Sequence, residues 1–176
     1  MSEIRVDAIK TRAGAVPTAK DLGLNIIGTI VQVQSGQLDT QLTLSSSRTT
    51  YTDTGLSVTI TPKYSNSKIY VNVTGNSYAS AAADNPLHRI LRTVGGTATS
   101  IAATDYMMYG SDGANGGAYC QSVMDTAQST AAHEYKIQIR SDTDAGNVYF
   151  NVNDTNNQGT TNEAQRSTIM VMEIAQ

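Results

Sequence analysis

The sequence is short of several residue types on which particular folds and sites depend. Its 176 residues include no Trp, one Phe, one Cys and three Pro. A single cysteine excludes an intrachain disulfide, and a chain of this length can bury an adequate core without a disulfide or a metal. We expect Cys120 to be a buried structural thiol, because free Cys is among the most buried residue types.

Charge is also scarce. Asp, Glu, Lys and Arg make up 15% of the chain, and the formal net charge is −3. A nucleic-acid-binding surface needs a basic patch, so we expect no nucleic-acid partner. The N-terminus lacks the apolar segment of a signal peptide, and no run reaches transmembrane length, so we expect no membrane insertion. These absences predict a soluble protein made in a reducing cytoplasm.

Alternation of apolar and hydroxyl side chains is the clearest pattern that is present. It occupies residues 56–61 and predicts a strand with one buried face. Residues 53–55, Asp-Thr-Gly, are typical of a turn that precedes such a strand. A second alternating run, residues 68–74, follows a short polar link, so we predict that the two runs form a hairpin.

Further strands are predicted along the rest of the chain, at residues 27–33, 48–54, 87–94, 118–125, 133–140, 147–153 and 167–174. Residues 87–94 also have helical spacing, but the following Gly95-Gly96 favours a strand. A tight-turn sequence at residues 144–147 predicts a second hairpin, and residues 110–117 read as a loop. Nine or ten short strands without a long helix predict an all-β, antiparallel two-sheet sandwich of the jelly-roll type.

Residues 1–26 differ from the sandwich predicted for residues 27–176. Their apolar residues lie among charged ones, and Pro17 disfavours a helix at Val16. An extended arm that becomes ordered against another molecule explains this composition. A frayed terminus explains it equally well.

Catalytic and metal-binding patterns are not found. His88 and His133 have no second ligand at metal-binding spacing, and residues 142–147 lack the bidentate glutamate of a calcium loop. Residues 110–117 lack the Lys-Ser/Thr that completes a phosphate-binding loop. We therefore predict a non-enzymatic protein without a metal or other cofactor, in which both histidines are structural or surface residues.

Tyrosine is the most informative side chain, with nine copies. Its large area and polar tip suit recognition surfaces. We predict recognition loops that contain Tyr106, Tyr109, Asp112, Asn115, Tyr119, Asn156 and Asn157. Ordinary packing at a sandwich end or a subunit contact is the alternative.

Three segments resemble parts of a known group of proteins. Residues 2–14, SEIRVDAIKTRAG, resemble the start of small virion proteins of tailed, marine podovirus-like phages. Residues 51–62 with 67–71 resemble the first hairpin of the tail-fibre-like head domains in those proteins, and residues 167–174 resemble their closing strand. Residues 76–132 carry no such resemblance.

The resemblance implies a virion protein with a trimeric head of the tumour-necrosis-factor kind, in which one sheet face of each subunit packs around the three-fold axis. The arm would then attach to other virion proteins through Ile4, Arg5, Val6, Ile9 and Arg12. Outer loops of a fibre tip or spike would bind a host-surface glycan or protein. A capsid decoration protein is the alternative. A depolymerase would need paired carboxylates in a cleft, which the sequence does not display.

Overall fold

The computed structural model describes residues 27–45, 47–81, 84–104, 115–151 and 166–176. Within these ranges there is no helix, and ten strands form two antiparallel sheets that pack face to face. The predicted β-sandwich is therefore confirmed. The strands are β1 (Ile30–Leu38), β2 (Leu42–Leu44), β3 (Thr52–Ile60), β4 (Lys68–Ala79), β5 (Pro86–Val94), β6 (Thr97–Thr104), β7 (Asn115–Thr126), β8 (His133–Ser141), β9 (Val148–Phe150) and β10 (Ser167–Ile174).

The larger sheet has six strands arranged in four lanes. Its order is β1-β10-β4-β7, and the short β2 and β9 extend the lanes of β1 and β10. β9 and β10 pair with successive parts of the same edge of β4, at residues 77–79 and 68–74. The smaller sheet has the order β3-β8-β5-β6.

The connections between the eight longer strands follow a simple rule. Among these eight described strands, with the short β2 and β9 left out, every step along the chain crosses from one sheet to the other except β5–β6. Eight strands connected in this way form a jelly roll. The β5–β6 hairpin turns at Gly95 and Gly96, whose φ angles of 55° and 82° are both positive, as a two-residue hairpin turn of type I′ requires.

Both hairpins predicted from the sequence are wrong. β3 pairs with β8 in the smaller sheet, whereas β4 lies in the larger sheet. β8 and β9 are likewise in different sheets. A period of two determines which face of a strand is buried but not its partner, and a short polar link can span the roughly 10 Å between packed sheets as well as the roughly 5 Å between paired strands.

Three predicted boundaries also change. β1 begins at Ile30 and continues to Leu38, beyond the predicted residues 27–33. Residues 53–55 lie inside β3 at a register shift, where Gly55 has a φ of 87°, so they form a bulge and not a preceding turn. Residues 115–117, predicted as loop, begin β7.

The core lies between the sheets and follows from the alternating patterns. Every second residue of β8 from His133 to Ser141 is buried, and β10 alternates in the same way. β5 is a strand, as predicted, and it buries apolar side chains on both faces: Ile90 on the inner face, and Leu87 and Leu91 on the outer face. Burial on both faces explains why its sequence also fits the spacing of a helix.

Candidate interaction surfaces

The sandwich has two distinct ends, and the described chain begins at one of them. The N–H of Gly28 donates to Ala175 O and the N–H of Ala175 donates to Thr29 O, both at 2.9 Å. We call this end, which also holds the Gly95-Gly96 turn, the near end. Thr104, where β6 stops, and Asn115, where β7 starts, pair with His88 and Ala79 at the opposite, far end.

This arrangement bears on the residues predicted as sites. Ile4, Arg5, Val6, Ile9 and Arg12 lie outside the described residues, as do Tyr106, Tyr109, Asp112, Asn156 and Asn157. Residue 27, which follows the predicted arm, is at the near end. Thr104 and the predicted recognition residue Asn115, which begins β7, are at the far end, and Tyr106, Tyr109 and Asp112 come between them in the sequence. The arm and that loop therefore join the sandwich at opposite ends.

Tyr119 is the one predicted recognition residue whose side chain is described, and that prediction is wrong. The side chain is 1% exposed and belongs to the core. Its ring stacks on the His88 ring, with 4.2 Å between the centroids, and its hydroxyl donates to Gln121 Oε1 at 2.6 Å. Burial raises the pKa of the Tyr119 hydroxyl above its ordinary value. A residue held in this way supports the fold and does not contact a receptor.

Cys120 corrects a second prediction, because it is exposed and not buried. It follows the inward-facing Tyr119 and pairs with Thr74, so it lies on the outer face of the larger sheet. The physical reason is the strict alternation of a strand, in which burying Tyr119 directs its neighbour outwards.

Both histidines are structural, which is one of the two roles predicted for them. His88 and His133 are completely buried. His88 lies between Tyr119 and Phe150, and burial lowers its pKa to about 3, so its imidazole is neutral in the folded protein. His133 begins β8 and its Nδ1 is 2.7 Å from Ala131 O.

The near end is organised by a buried carboxylate that the sequence did not single out. Glu173 of β10 is completely buried. Its Oε1 accepts hydrogen bonds from Lys63 N at 2.8 Å, Tyr64 N at 3.0 Å and Ser67 Oγ at 2.7 Å, and its Oε2 accepts one from Gln32 Nε2 at 2.6 Å. Burial alone would raise the pKa of Glu173, but these hydrogen bonds outweigh it and hold the pKa below the ordinary value.

The far end has an equivalent residue, Asp84. It is also completely buried and accepts hydrogen bonds from Ser141 Oγ at 2.6 Å, Asn85 N at 2.9 Å, Asp142 N at 2.9 Å and Thr143 N at 3.0 Å. Burial acts to raise the pKa of Asp84, and the hydrogen bonds lower it to below its ordinary value. Residues 142–147, which faintly resemble a calcium loop, are thus a connection whose first two residues donate to this carboxylate, while Asn147 N donates to Ser80 Oγ at 2.9 Å.

The outer face of the larger sheet carries a row of apolar side chains. Val33 pairs with Met172, Met172 with Tyr70, and Tyr70 with Met124, so the row crosses all four lanes. Val33 is 47% exposed and Met124 is 53% exposed. We call these four residues the apolar row.

Apart from the buried Leu87 and Leu91, the outer face of the smaller sheet is polar and internally paired. Lys136 Nζ lies 2.7 Å from Asp53 Oδ2, and Arg89 Nε donates to Gln138 Oε1 at 2.7 Å. Arg89 also covers the ring of Tyr51, 4.2 Å from its centroid. The two outer faces therefore differ in kind: one is a network of charges, and the other leaves large apolar side chains in contact with solvent.

Within the described ranges, no three His, Cys, Asp or Glu side chains are close enough to hold a metal ion, and no helix could cross a membrane. A cavity of about 320 Å³ opens at the near end, lined by Arg92, Val94, Thr97, Thr99, Gln128, Ser129 and His133. Comparison with protein-family models and with curated proteins gives no match.

Proposed function

We propose that this chain is a non-enzymatic structural protein of a tailed-phage virion, a fibre tip or spike whose N-terminal arm docks on the particle and whose far end faces the host. The supporting observation is that residue 27 and the pair Thr104 and Asn115 lie at opposite ends of the sandwich. A protein anchored through its arm would present the far end outwards. A protein that attaches the particle to the host needs its two contact regions at opposite ends in this way.

The same proposal includes a trimer built on the outer face of the larger sheet. Large exposed apolar patches mark protein contacts, and the apolar row crosses that face without a charged residue in it. The polar face of the smaller sheet would remain in solvent. A closed, cyclic arrangement would bury the row of each copy against its neighbours.

A capsid decoration protein is the second candidate, and the short distance from arm to head favours it. β1 begins at Ile30, so the sandwich follows the predicted 26-residue arm with no shaft between them. A head that is mounted directly on the particle would suit a shell protein that coats or stabilises the capsid.

The decisive experiment is to locate the chain in the intact particle by electron cryomicroscopy. Density at the tail or its fibres supports the fibre reading, and density spread over the shell supports decoration. Absence of the chain from purified virions contradicts both.

Deletion of residues 1–26 tests the role of the arm. We expect the truncated protein to be a folded, soluble oligomer, because the described sandwich starts at residue 27. We also expect that it no longer binds particles that lack this protein when the two are mixed. Circular dichroism reports folding and co-sedimentation reports binding. An unfolded truncation would mean that the arm belongs to the sandwich, and undiminished binding would mean that attachment uses another surface.

The substitution Met124→Asp tests the trimer. An unpaired charge buried in a contact costs about 3–5 kcal/mol, so we expect dissociation to monomers in light scattering after size-exclusion chromatography. Thr59→Asp is the control, since Thr59 is exposed on the face of the smaller sheet. A wild-type protein that is monomeric at every concentration would refute the trimer.

A further inference from the structure

Two arginines on the outer face of the smaller sheet converge on one tyrosine ring. The guanidinium carbon of Arg89 lies 4.2 Å from the centroid of the Tyr51 ring, and that of Arg140 lies 5.2 Å from the same centroid. Arg89 pairs with Gln138 and Leu87 pairs with Arg140, so the two arginines are diagonal neighbours on β5 and β8. We call Tyr51, Arg89 and Arg140 the arginine cluster.

The arginine cluster has no carboxylate partner in the described part of the chain. Arg92 and Arg166 each have an aspartate oxygen 2.9 Å away. By contrast, no described carboxylate lies within salt-bridge distance of Arg89 or Arg140. Like charges that are neighbours on a sheet repel each other, so this arrangement lacks the compensation that those other two arginines have.

Two aspartates lie close to the arginine cluster, and another cation is next to each of them. Asp53 Oδ2 accepts a hydrogen bond from Lys136 Nζ at 2.7 Å. Asp144 Oδ1 accepts one from the backbone N–H of the exposed Arg48, whose carbonyl oxygen in turn accepts from Arg140 Nη1 at 2.8 Å. Four cations therefore accompany two carboxylates on this part of the face, which leaves a surplus of positive charge.

The guanidinium groups of the arginine cluster are held in position and still have donors to offer. Arg89 Nε donates to Gln138 Oε1 at 2.7 Å, and Arg140 Nη1 also donates to Ser141 O at 2.9 Å. The two Nη groups of Arg89 and the Nη2 group of Arg140 donate to no described residue. Both arginines are partly exposed, so a ligand in solvent can reach them.

We propose that the arginine cluster binds an oxyanion, the carboxylate or phosphate group of an acidic glycan. The planar fork of a guanidinium group matches the two oxygens of such a group, and an anion would offset the surplus charge. The cluster is at the far end, since Arg140 pairs with Leu87, next to His88. That the glycan belongs to the host surface rests on the proposed function, whereas binding of the oxyanion does not.

The test is a titration of the full-length protein with D-glucuronate, inorganic phosphate and D-glucose, each added alone at constant ionic strength. Proton–nitrogen NMR follows the Nε–H signal of Arg89 and the backbone amides around it. Arg89→Gln removes one charge from the cluster. Lys63→Gln is the matched control, because it removes the same charge from an exposed residue of the near end. Circular dichroism verifies that each variant is folded.

We expect saturable shifts at the arginine cluster with at least one anion, and an affinity that falls about tenfold in Arg89→Gln and is unchanged in Lys63→Gln. Binding of glucuronate alone identifies a carboxylated sugar, and binding of phosphate alone identifies a phosphorylated glycan. D-glucose should cause no saturable shift.

Three results would overturn the proposal: no saturable binding of either anion, an equal loss of affinity in both variants, or binding of D-glucose as tight as that of the anions. An equal loss would mean that the anions respond only to the net charge of the protein. These results are independent of where the chain lies in a particle. A chain that binds the anions but is absent from virions would therefore contradict the proposed function and leave the oxyanion site standing.

Discussion

Each end of the sandwich is held by one buried carboxylate, but one carboxylate lies in a strand and the other in a connection. At each end a fully buried carboxylate accepts hydrogen bonds from backbone N–H groups and from a serine hydroxyl. Glu173 belongs to a regular strand and fastens the β3–β4 connection and β1 to it. Asp84 lies in the connection before β5 and fastens another connection, β8–β9. The carboxylate of the near end is thus part of the sheet, whereas that of the far end lies in a connection and binds the last residue of β8 together with the connection that follows it.

Glu173→Ala should have the largest effect, because it leaves several donors at the centre of the near end unpaired. We expect a loss of about 3–5 kcal/mol in the free energy of unfolding, measured by urea denaturation. Glu134→Ala, on the outer face of β8, is the control and should change stability by less than about 0.5 kcal/mol. A Glu173 variant as stable as that control would remove the distinction between the ends.

Asp84→Ala should cost less, about 2–3 kcal/mol, because connections can relax towards solvent more easily than a strand can. We also expect the damage to be local. Hydrogen exchange should accelerate at the amides of Asp142 and Thr143, which donate to Asp84, and remain slow at Tyr64 near Glu173. Equal acceleration at Tyr64 would show that the far end is as strongly coupled to the framework as the near end.

The substitution His88→Phe tests how much of the pH dependence of the free energy of unfolding comes from the core and not from the carboxylates at the two ends. The pKa of His88 is lowered to about 3 by burial, so the unfolded chain binds a proton that the folded chain does not, and stability falls as the pH falls below about 6.5. The slope is about half of 1.4 kcal/mol per pH unit at about pH 6.5, where the unfolded histidine is half protonated, and it approaches about 1.4 kcal/mol per pH unit towards about pH 4.5. Urea denaturation from about pH 6.5 to about pH 4.5 should show this slope in the wild type and lose it in the variant. An unchanged slope would contradict a neutral, buried His88.

The smallest expected effect is the acid response of the two carboxylates themselves. Both pKa values are lowered by folding, so the stabilisation is complete above the ordinary carboxylate pKa and is lost as the pH falls through the lowered values, below about pH 4. Glu173→Gln and Asp84→Asn should each flatten that decline in urea denaturation. A decline as steep as in the wild type would mean that other carboxylates are responsible.

The faces of the strands could be predicted from the sequence, but their partners could not. Residues 133–140 and 167–174 alternate clearly, and both are strands with one buried face. Alternation is a local property, whereas pairing depends on which sheet the next strand joins. Of the described turns, the one with two consecutive glycines at positive φ, Gly95-Gly96, is the hairpin.

The candidate surfaces were harder to predict, for reasons visible in two strands. In β7 polar and apolar residues occur on both faces, so the sequence did not reveal that Tyr119 points inwards and Cys120 outwards. In β10 the inward positions include the charged Glu173, and the outward ones include Met170, Met172 and Ile174. A strand that is apolar on both faces is the signal in the sequence for the apolar row on the outer face of the larger sheet.

The lane formed by β9 and β10 is interrupted, and this fold should tolerate inserted sequence at the interruption. The lane stops at Asn151 and resumes at Ser167, whose Oγ donates to Asn151 Oδ1 at 2.8 Å, while Asn151 Nδ2 donates to Leu38 O and Thr40 O at 3.0 Å. Both margins of the gap are therefore anchored independently of whatever joins them, and doubling a connecting loop costs only about 0.6 kcal/mol. Residues can therefore be inserted or exchanged between Asn151 and Ser167 with little loss in the free energy of unfolding. This position suits sequence variation during evolution and the display of foreign peptides.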